Sequence, residues 1–538
     1  MKYIFVSGGV ISGIGKGIAA ASIGLLLKSA GFKVSVIKMD PYLNVDAGTM
    51  NPLAHGETFV LDDGKETDQD LGHYERFMNE SLDSSNIATQ GSIYLSVIQK
   101  ERNLEYDGDY VDIHNVTQEI IDRIHQAGRN KNADIVLVEI GGTTGEYQNV
   151  LFLEANRLLK LKKHDDVIHI HISYLPIPRT LGEMKSKPVQ MSVKELNSVG
   201  IQPDILLARA EVAIDAPRIK RLSFNTGIEA EDIIAAPDVD NIYNIPLNFE
   251  EGNLTDRILK KLKLKRKKNN LKLWRDFVKK AEKADKVVKI GIVGKYFTSG
   301  SGVLTDSYIS VIEAIKHASF TLGYKPEVVW LDSGKVEKNP ELLQGYQGII
   351  VPGGFGARDI EGKILTVKYC RENNLPYFGL CYGLQMAVIE YARNVLGYLG
   401  ANSTEIDPDT KYPVVHVMTD QQKKLLKKDY GGTMRLGAWE CKLKTGTLVR
   451  KLYGRPKISE RHRHRFEFNN DFLKEFLKNG LAISGTSPDG KLVEIIELKK
   501  HPFFVGTQFH PELKSRPLNP HPLFLGFIQA ASKVHLPT

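Results

Sequence analysis

The chain has 538 residues, of which 42% are hydrophobic and 25% are charged, and its formal net charge is +8 at pH 7. This length exceeds one ordinary domain, so two or three domains are expected, each with its own core. Much of the positive excess lies in residues 259–268, LKKLKLKRKK, which favours a solvated linker or helix face over a surface for nucleic acid. The sparse cysteines, Cys370, Cys381 and Cys441, argue against a disulfide framework and indicate a reducing compartment.

The N-terminus, MKYIFV, runs directly into a strand pattern and a glycine-rich loop, which is not the pattern of a signal peptide. No apolar run approaches the length needed to span a bilayer. We therefore expect a cytoplasmic protein that binds neither membrane nor nucleic acid.

In chain order, the first half alternates short β-branched runs with helical stretches. Strands are predicted at 3–7, 34–38, 135–140, 167–173 and 205–208, and a helix at about 17–30. This alternation predicts a parallel sheet with helices on both faces. Residues 40–112 are rich in polar residues and glycine, so we expect them to form an insertion that faces substrate.

A second α/β series begins at residue 287, after the basic run. Its predicted strands are 287–294, 327–331, 348–352, 376–380 and 503–508. The predicted fold class is therefore α/β with two doubly wound domains. The first is a P-loop NTPase-like domain over residues 1–265, followed by a basic linker over 266–286 and a second domain over 287–538.

The sequence SGGVISGIGKG follows a predicted strand and opens a predicted helix. Closely spaced glycines let backbone N–H groups surround phosphate oxygens, and the helix N-terminus adds positive potential. Lys16 can then reach the outer phosphates. Gly17, however, stands where a P-loop usually has the Ser or Thr that binds magnesium, so the metal must find other ligands.

Two acidic residues are the candidates for these metal ligands. Glu139 ends a hydrophobic strand beside the loop, a position that holds metal in phosphoryl-transfer enzymes, and Asp70 is the second candidate. Lys38 ends the next strand and can neutralise charge on a transferring phosphoryl group. The predicted site is therefore one for a nucleotide with its magnesium ion.

The sequence FGLCYGLQ places Cys381 between small residues after a short apolar run, which is typical of a sharp strand-to-helix turn. The N-terminus of the following helix favours the thiolate. Far downstream, GTQFHPE supplies His510 as a base and Glu512 to hold the imidazole in one tautomer. These three residues predict an amide hydrolase that works through a thioester.

Motifs along nearly the whole chain resemble, in the same order, those of the CTP synthase family, which aminates UTP with nitrogen from glutamine. In the first half they are the phosphate loop, KMDPYLNVD at 38–46, DLGHYERF at 70–77, EIGGT at 139–143 and KSKPVQ at 185–190. In the second half they are PGGFG at 352–356, the Cys381 motif, ANSTE at 401–405, RHRHR at 461–465 and the His510 motif. The resemblance implies an amidoligase (synthetase) domain followed by a class I glutamine amidotransferase domain.

The resemblance also implies roles for individual residues. The ATP-binding set is Gly13, Ile14, Gly15, Lys16, Gly17, Ile18, Asp70 and Val239. The set that binds UTP or CTP is Ser12, Glu146, Tyr147, Gln148, Lys185, Ser186, Lys187, Pro188, Val189, Gln190 and Lys220. The glutamine-binding set is Gly354, Leu380, Cys381, Tyr382, Gly383, Leu384, Glu405 and Arg465. The remaining roles are catalysis by Cys381, His510, Glu512, Lys16 and Lys38, an oxyanion hole at Gly353 and Gly354, and Mg²⁺ binding by Asp70 and Glu139.

The implied reaction converts UTP, ATP, glutamine and water to CTP, ADP, phosphate and glutamate, and belongs to pyrimidine biosynthesis. The implied protein is a C–N bond-forming ligase with GTP activation and CTP feedback inhibition. It assembles as a homotetramer in which neighbouring subunits share the UTP sites, and whether it forms filaments stays open. One departure concerns feedback, because the family has Asp-Ile-Glu-Ser where this chain has EYQN at 146–149. The carboxylate lost at Gln148 puts the CTP contact in doubt.

Two alternatives stay open at this stage. The acceptor could be a carboxylic acid, as in cobyrinate-type amidotransferases, although the Lys185-x-Lys187-Pro188 pattern favours a triphosphate. The chain could instead be a non-catalytic nucleotide-sensing scaffold or filament subunit, although the intact triad and metal carboxylates argue against this.

Overall fold

The computed structural model describes residues 1–50, 56–180, 182–295, 298–299, 302–303, 306–417 and 434–535. The chain forms two compact units. Unit 1 comprises Met1–Ala47 and Asp70–Val278, and unit 2 comprises Gly48–Gln69 and Lys279–Thr538. The sequence predicted a first domain over residues 1–265 and a second over 287–538. It did not predict that residues 48–69 belong to the second unit.

The first half of the chain contains the predicted strands and first helix, with ends shifted by one or two residues at most. Its strands are β1 Lys2–Gly9, β2 Val34–Asp40, β3 Phe59–Val60, β4 Glu66–Thr67, β5 Ile87–Thr89, β6 Ile135–Ile140, β7 Val167–Tyr174, β8 Ile205–Ala210 and β9 Ile233–Pro237. Its helices are α1 Lys16–Ser29, α2 Gln69–Met78, α3 Gln90–Arg102, α4 Ile113–Asn130, α5 Val150–Lys162, α6 Lys187–Ser198, α7 Ala216–Thr226, α8 Ile245–Glu251, α9 Leu254–Lys261 and α10 Lys272–Lys283.

The sheet of unit 1 is entirely parallel, in the order β5-β2-β6-β1-β7-β8-β9. Strands β2 and β6 are buried along their whole length because helices cover both faces. After β1 the chain forms β2, β5 and β6 on one side of β1. It then forms β7, β8 and β9 on the other side. The topological switch point therefore lies beside β1, where α/β sheets bind their ligands.

The basic run and the helix after it pack against unit 1. The backbone N–H groups of Lys267 and Lys268 donate to the Ala30 carbonyl at 3.0 and 2.9 Å. In α10, the indole of Trp274 is buried and donates to the Tyr243 carbonyl at 2.9 Å. The lysines at 265, 267 and 268 are exposed, as expected of a solvated linker, but local charge could not reveal these backbone partners so distant in sequence.

The second half also contains the predicted strands, with ends shifted by up to three residues. Its strands are β10 Lys286–Gly294, β11 Thr298–Ser299, β12 Gly302–Val303, β13 Tyr324–Asp332, β14 Gly348–Val351, β15 Tyr377–Leu380, β16 Asn402–Ser403, β17 Pro413–Val417, β18 Arg435–Leu443, β19 Lys457–His464, β20 Phe466–Phe468, β21 Leu481–Thr486, β22 Val493–Leu498 and β23 Phe504–Thr507. Its helices are α11 Ile309–Leu322, α12 Ser333–Lys338, α13 Ile360–Glu372, α14 Tyr382–Asn394, α15 Leu448–Tyr453, α16 Leu473–Lys478 and α17 Pro522–Ala531. Among the residues that the structure describes, none of the helices is both long and apolar enough to cross a membrane.

The main sheet of unit 2 has the order β13-β10-β14-β15-β23-β22-β21-β18-β19. The strands from β13 to β23 in this order are parallel, and those from β22 to β19 add an antiparallel extension. Strands β15 and β23 are neighbours, with Leu380 opposite Thr507. Their carboxyl ends therefore bring residues 381 and 508–512 to the same edge of the sheet.

The returning segment 48–69 forms a β3–β4 hairpin that is bound to β18 and β19. Nε of Arg461 lies 2.6 Å from Oδ1 of Asp62, and Nε of Arg463 lies 2.7 Å from Oε1 of Glu66. The Ala438 N–H also donates to the Asp62 carbonyl at 2.8 Å. Part of the segment that was expected to be a substrate-facing insertion is thus held in unit 2 by two arginines.

Candidate active sites

Cys381 occupies a one-residue turn between β15 and α14. Its φ of 49° and ψ of −95° lie in a region that L-residues rarely adopt. The Cys381 N–H donates to the Thr507 carbonyl at 2.7 Å, which ties the turn to β23. A Cβ on Gly383 would lie 2.2 Å from the Val351 carbonyl oxygen, and one on Gly379 would lie 2.7 Å from the Gly383 carbonyl carbon. The sharp turn therefore requires glycine at both positions.

The three predicted triad residues line one cavity of about 250 Å³. Nδ1 of His510 lies 2.7 Å from Oε1 of Glu512. Burial alone would lower the pKa of His510, but the Glu512 carboxylate and the Cys381 sulfur raise that pKa well above its usual value. With Nδ1 engaged by the carboxylate, Nε2 is left for the sulfur, as proton exchange requires.

Most of the predicted glutamine-binding residues share this cavity. The predicted residues that line it, besides the triad, are Gly353, Gly354, Tyr382, Glu405 and Arg465. Oε1 of Glu405 accepts the Gly356 N–H at 2.8 Å, and burial raises the pKa of this carboxyl. The other predicted members, Leu380, Gly383 and Leu384, do not line the cavity. The two leucines are fully buried in the core, so these three residues shape the turn instead.

Sequence analysis missed several residues around the nucleophile. Nε2 of Gln508 lies 3.7 Å from the Cys381 sulfur, although this glutamine stands within the His510 motif. Gly48 and Glu57 also line the cavity. The Glu57 carboxylate accepts hydrogen bonds from the N–H and hydroxyl of Ser310, 253 positions away. Only the fold of segment 48–69 could reveal these two, since nothing local marks them.

The phosphate loop connects Gly9 at the end of β1 to Lys16 at the start of α1. Gly15 is the N-cap with φ 83°, and no side chain caps the helix, so its first N–H groups can bind an anion. A Cβ on Gly13 would have nothing within 4 Å, which leaves the loop open at that point. Nζ of Lys16 donates to the Gly142 carbonyl at 2.6 Å, and burial lowers the pKa of its amine.

Lys38, Asp70 and Glu139 meet beside this loop. The Lys38 ammonium contacts the Asp70 carboxylate and lies 2.9 Å from Oε1 of Glu139. Burial raises the pKa of Glu139. Burial also opposes ionisation of Asp70, but the charges of Lys38 and His73 hold its pKa below the usual value. The structure thus brings together the two predicted carboxylates around one cationic group.

The glycine at position 17 is explained by Asp70. A Cβ on Gly17 would lie 1.9 Å from Oδ1 of Asp70, so a serine or threonine could not occupy this position while Asp70 stays in place. The position of the Asp70 carboxylate therefore explains why this chain has glycine where the P-loop pattern has serine or threonine.

A second, mostly apolar cavity lies beside the loop within unit 1. It is lined by Ile14, Gly15, Ala19, Ile172, Leu207, Arg209, Ala236, Pro237, Ile245, Asn248 and Phe249. Its volume is about 10 Å³, which holds about one water molecule, so the cavity does not accommodate a purine ring in this structure. Val239, which was predicted to contact adenine, is not among the lining residues. Arg209, which was not predicted, lines the cavity and pairs with Asp238 at 2.7 Å.

The predicted pyrimidine-nucleotide residues near the phosphate loop lie on two segments. Ser12 is exposed within the loop itself, while Glu146, Tyr147 and Gln148 follow β6. Oε1 of Glu146 accepts the Thr143 N–H at 2.8 Å, so this carboxylate holds its own loop. Tyr147 is 91% exposed and Gln148 is exposed, so both side chains can meet a ligand.

The other predicted pyrimidine-nucleotide residues lie around the starts of α6 and α7. Ser186 is the N-cap of α6 without a side-chain cap hydrogen bond, and Pro188 follows in the first turn. Lys185 pairs with Glu183 at 2.7 Å, Lys187 and Lys220 are exposed, and Val189 is buried. Within the described ranges, no ion pair or hydrogen bond connects Lys185 or Lys220 to the phosphate loop, so the structure does not join them to it.

The fold and the two sites define a class of protein: a P-loop-like α/β unit joined to a class I glutamine amidotransferase. The family model of the CTP synthase N-terminus matches residues 2–264, and that of class-I glutamine amidotransferases matches residues 303–530. CTP synthase of Bacillus subtilis (strain 168) is 48% identical over 534 residues, which cover 98% of each chain. The chain belongs to the CTP synthase family.

Two further proteins are similar to this chain. CTP synthase of Prochlorococcus marinus (strain MIT 9211) is 49% identical over 536 residues, which cover 98% of this chain and 95% of that protein. The solved glutaminase domain of Trypanosoma brucei CTPS with bound acivicin is 36% identical and covers 46% of this chain and 94% of that domain, with a TM-score of 0.42.

Proposed function

We propose that the protein is a glutamine-dependent CTP synthase, a ligase of pyrimidine biosynthesis that converts UTP to CTP with ATP. Membership of the family along 98% of the chain supports this function. The observation that carries the proposal is the presence of two complete sites in one chain. One is a thiol–imidazole–carboxylate triad, and the other is a phosphate loop beside two acidic residues and a lysine.

In the glutaminase site, the Cys381 thiolate attacks the side-chain amide of glutamine and forms a C–S bond. His510 donates its proton to the departing nitrogen, which leaves as ammonia, while Glu512 holds the imidazole. Water, deprotonated by His510, then cleaves the thioester and releases glutamate. The N–H groups of Gly353 and Gly354 stabilise the oxyanion of each tetrahedral intermediate.

The other predicted residues of this cavity hold the rest of the substrate. We assign the Glu405 carboxylate to the α-amino group of glutamine, and the Arg465 guanidinium to its α-carboxylate through paired hydrogen bonds. Tyr382 forms a wall of the cavity. These residues bind glutamine by both charged ends and leave its amide for the thiol.

In the synthetase site, ATP phosphorylates O4 of the uracil ring, and ammonia then displaces phosphate to give CTP. Lys16 and Lys38 neutralise charge on the transferring group. Asp70 and Glu139 already surround the Lys38 ammonium, so they fit a hard cation that prefers carboxylate oxygens. They would hold Mg²⁺, which would supply further charge neutralisation on the phosphates.

We further propose that residues 185–190 and Lys220 bind UTP. We also propose that GTP activates the protein and that it assembles as a homotetramer. We also propose that CTP inhibits this protein weakly. Gln148 carries no charge, so the segment lacks the carboxylate that the family has there, while the Glu146 carboxylate is held by the Thr143 N–H. The synthetase is assigned to residues 1–265 and the glutaminase to residues 287–538, which segment 48–69 completes.

The test supplies purified protein with UTP, ATP, Mg²⁺ and glutamine and follows the absorbance of the cytosine ring. We expect CTP and glutamate to form in equal amounts, and CTP alone to form when ammonium replaces glutamine. Omission of ATP or UTP should stop CTP formation with both nitrogen sources. Failure to form CTP from either nitrogen source would refute the proposed function, and ATP-dependent amidation of a carboxylic acid would support the cobyrinate-type alternative.

A further inference from the structure

Lys363 is an unusual lysine in the first turn of α13. Its side chain is fully buried, and its Nζ has no hydrogen-bond partner among the residues that the structure describes. Burial, followed by the charge of Lys295, lowers the pKa of its amine to about 7. A cation at a helix N-terminus also opposes the helix dipole. This position therefore costs stability, which a purely structural lysine would not explain.

The Lys363 amine lies behind the walls of the glutaminase cavity. Its Nζ is 4.9 Å from the centre of the Tyr382 ring, and a Cβ built on Gly354 would lie 3.6 Å from it. Tyr382 directly follows the nucleophile, and its hydroxyl donates to the Gly356 carbonyl at 2.7 Å. The amine thus lies close to both the nucleophile turn and the oxyanion loop.

The charged groups around Lys363 are Lys295, Asp359 and Glu405. Lys295 and Glu405 are bound to the loop that contains Gly353 and Gly354. Lys295 donates to the carbonyls of Phe355 and Gly356, and Glu405 accepts the Gly356 N–H at 2.8 Å. Over the described ranges, Lys363 forms no ion pair with these carboxylates. Its positive charge is therefore only partly balanced before substrate reacts.

We propose that Lys363 is a positioning residue for glutamine hydrolysis, and that its ammonium supplies positive potential behind the Gly353–Gly354 loop as the amide oxygen becomes negative. No bond to Lys363 forms or breaks. Asp359 and Glu405 balance this charge only in part, without a direct ion pair, so the ammonium still acts on the oxyanion as it develops in the buried site. This inference rests on the glutaminase activity proposed above.

Lys363→Met tests the inference, since methionine keeps the length and removes the charge. Below pH 7, kcat for glutamine hydrolysis should fall about tenfold, less than the hundredfold or more that follows loss of a direct oxyanion donor. KM for glutamine and the ammonium-dependent rate of CTP formation should not change. The variant should unfold at the same or a higher temperature, because a buried amine without a partner has been removed.

A structural role would not produce this combination of equal or greater stability with slower hydrolysis. The ratio of wild-type to variant rate should also decline as pH rises through about 7, since the wild-type amine then loses its proton. Lys363→Gln also removes the charge, so it should slow hydrolysis with the same dependence on pH, and it serves if the methionine variant does not fold. Lys368→Met, on the same helix, is the matched control and should retain the wild-type rate.

Three results would overturn the inference. They are a full rate of glutamine hydrolysis in both Lys363 variants, a rate ratio that is constant with pH, and equal loss of the glutamine- and ammonium-dependent activities. A wild-type protein that does not hydrolyse glutamine would refute the proposed function itself, and this inference with it.

Discussion

Both units place their reactive groups in the turn between a parallel strand and the next helix, but the two turns differ in width. In unit 1, six residues, 10–15, separate β1 from α1. In unit 2, Cys381 alone separates β15 from α14. The wide loop presents several N–H groups and suits a large anion, whereas the narrow turn fixes one sulfur atom.

Both turns contain strained backbone, but at different places relative to the reacting group. In the wide loop, Val10 has a φ of 77°, and the glycines at positions 13 and 15 also adopt positive φ, which costs glycine little. In the narrow turn the nucleophile itself has a φ of 49°, and neighbouring glycines make room for it. Binding of an anion can be distributed over a loop, but nucleophilic attack requires one atom in one place.

Removal of the nucleophile should distinguish the functions of the two turns most clearly. We expect Cys381→Ala to lower glutamine-dependent CTP synthesis by about 10⁴-fold or more, because no thioester can form. Synthesis from ammonium should stay at the wild-type level, measured by cytosine absorbance. If both activities vanish in a folded variant, the division of labour between the two turns is wrong.

Loss of the carboxylate behind the imidazole comes next. We expect Glu512→Gln to slow glutamine hydrolysis by about 10⁴-fold, as loss of the orienting carboxylate does in comparable triads. Glu512 raises the pKa of His510, so its loss should lower that pKa. The imidazolium exists only below this pKa, and the alkaline limb of kcat/KM should therefore move to lower pH. If the alkaline limb of kcat/KM does not move, the assignment of Glu512 as the carboxylate that raises the pKa of His510 is wrong.

In the wide loop, Lys16→Ala should slow CTP synthesis equally with both nitrogen sources. We expect a loss of about 10²- to 10³-fold, the usual effect of removing one group that stabilises transition-state charge. Glutamine hydrolysis without nucleotides is the internal control and should persist. Normal turnover with ammonium would remove Lys16 from the phosphoryl-transfer site.

Gly383→Ala tests how tightly the narrow turn is built. The added Cβ would lie 2.2 Å from the Val351 carbonyl oxygen, a backbone atom that cannot move aside. We expect the free energy of unfolding to fall by about 1–3 kcal/mol, together with glutamine hydrolysis, as in other overpacked sites. Denaturant titration measures the first effect. An alanine variant with wild-type stability would show that the turn is less constrained than described.

Gly17→Ala is the corresponding change in the wide loop and should have the smallest effect. Its Cβ would meet the carboxylate of Asp70, which can rotate away, so stability should change little. The displaced carboxylate should raise the Mg²⁺ concentration needed for ammonium-dependent synthesis by several-fold, on the order of 1 kcal/mol. Glutamine hydrolysis should not change. An unchanged Mg²⁺ requirement would argue against Asp70 as a ligand.

The sequence could predict those parts of the sites that local motifs mark and that the order of the strands brings together. Lys38, Asp70 and Glu139 were named from strand ends and motifs, and the parallel sheet brings them together. Cys381 and His510 meet because β15 and β23 are neighbours. For Lys38, Glu139, Cys381 and His510 the residue type and a position at or near a strand end carried enough information, whereas Asp70 lies in α2 and was found from its motif.

The features that sequence could not predict depend on contacts between distant residues. Glu57 reaches the glutaminase cavity only because segment 48–69 folds onto unit 2, and its partner Ser310 is 253 positions away. Lys363 reads as an ordinary helical lysine until its burial is known. The antiparallel strands from β18 to β22 were missed because their polar residues interrupt the apolar runs that marked the parallel strands.

The return of residues 48–69 has a consequence for protein engineering. The polypeptide passes between the two units three times, after residues 47, 69 and 278. A chimera made by exchanging only the C-terminal half would separate Arg461 and Arg463 from Asp62 and Glu66. Recombination of this enzyme with a relative therefore has to transplant the short hairpin together with the lobe that it completes.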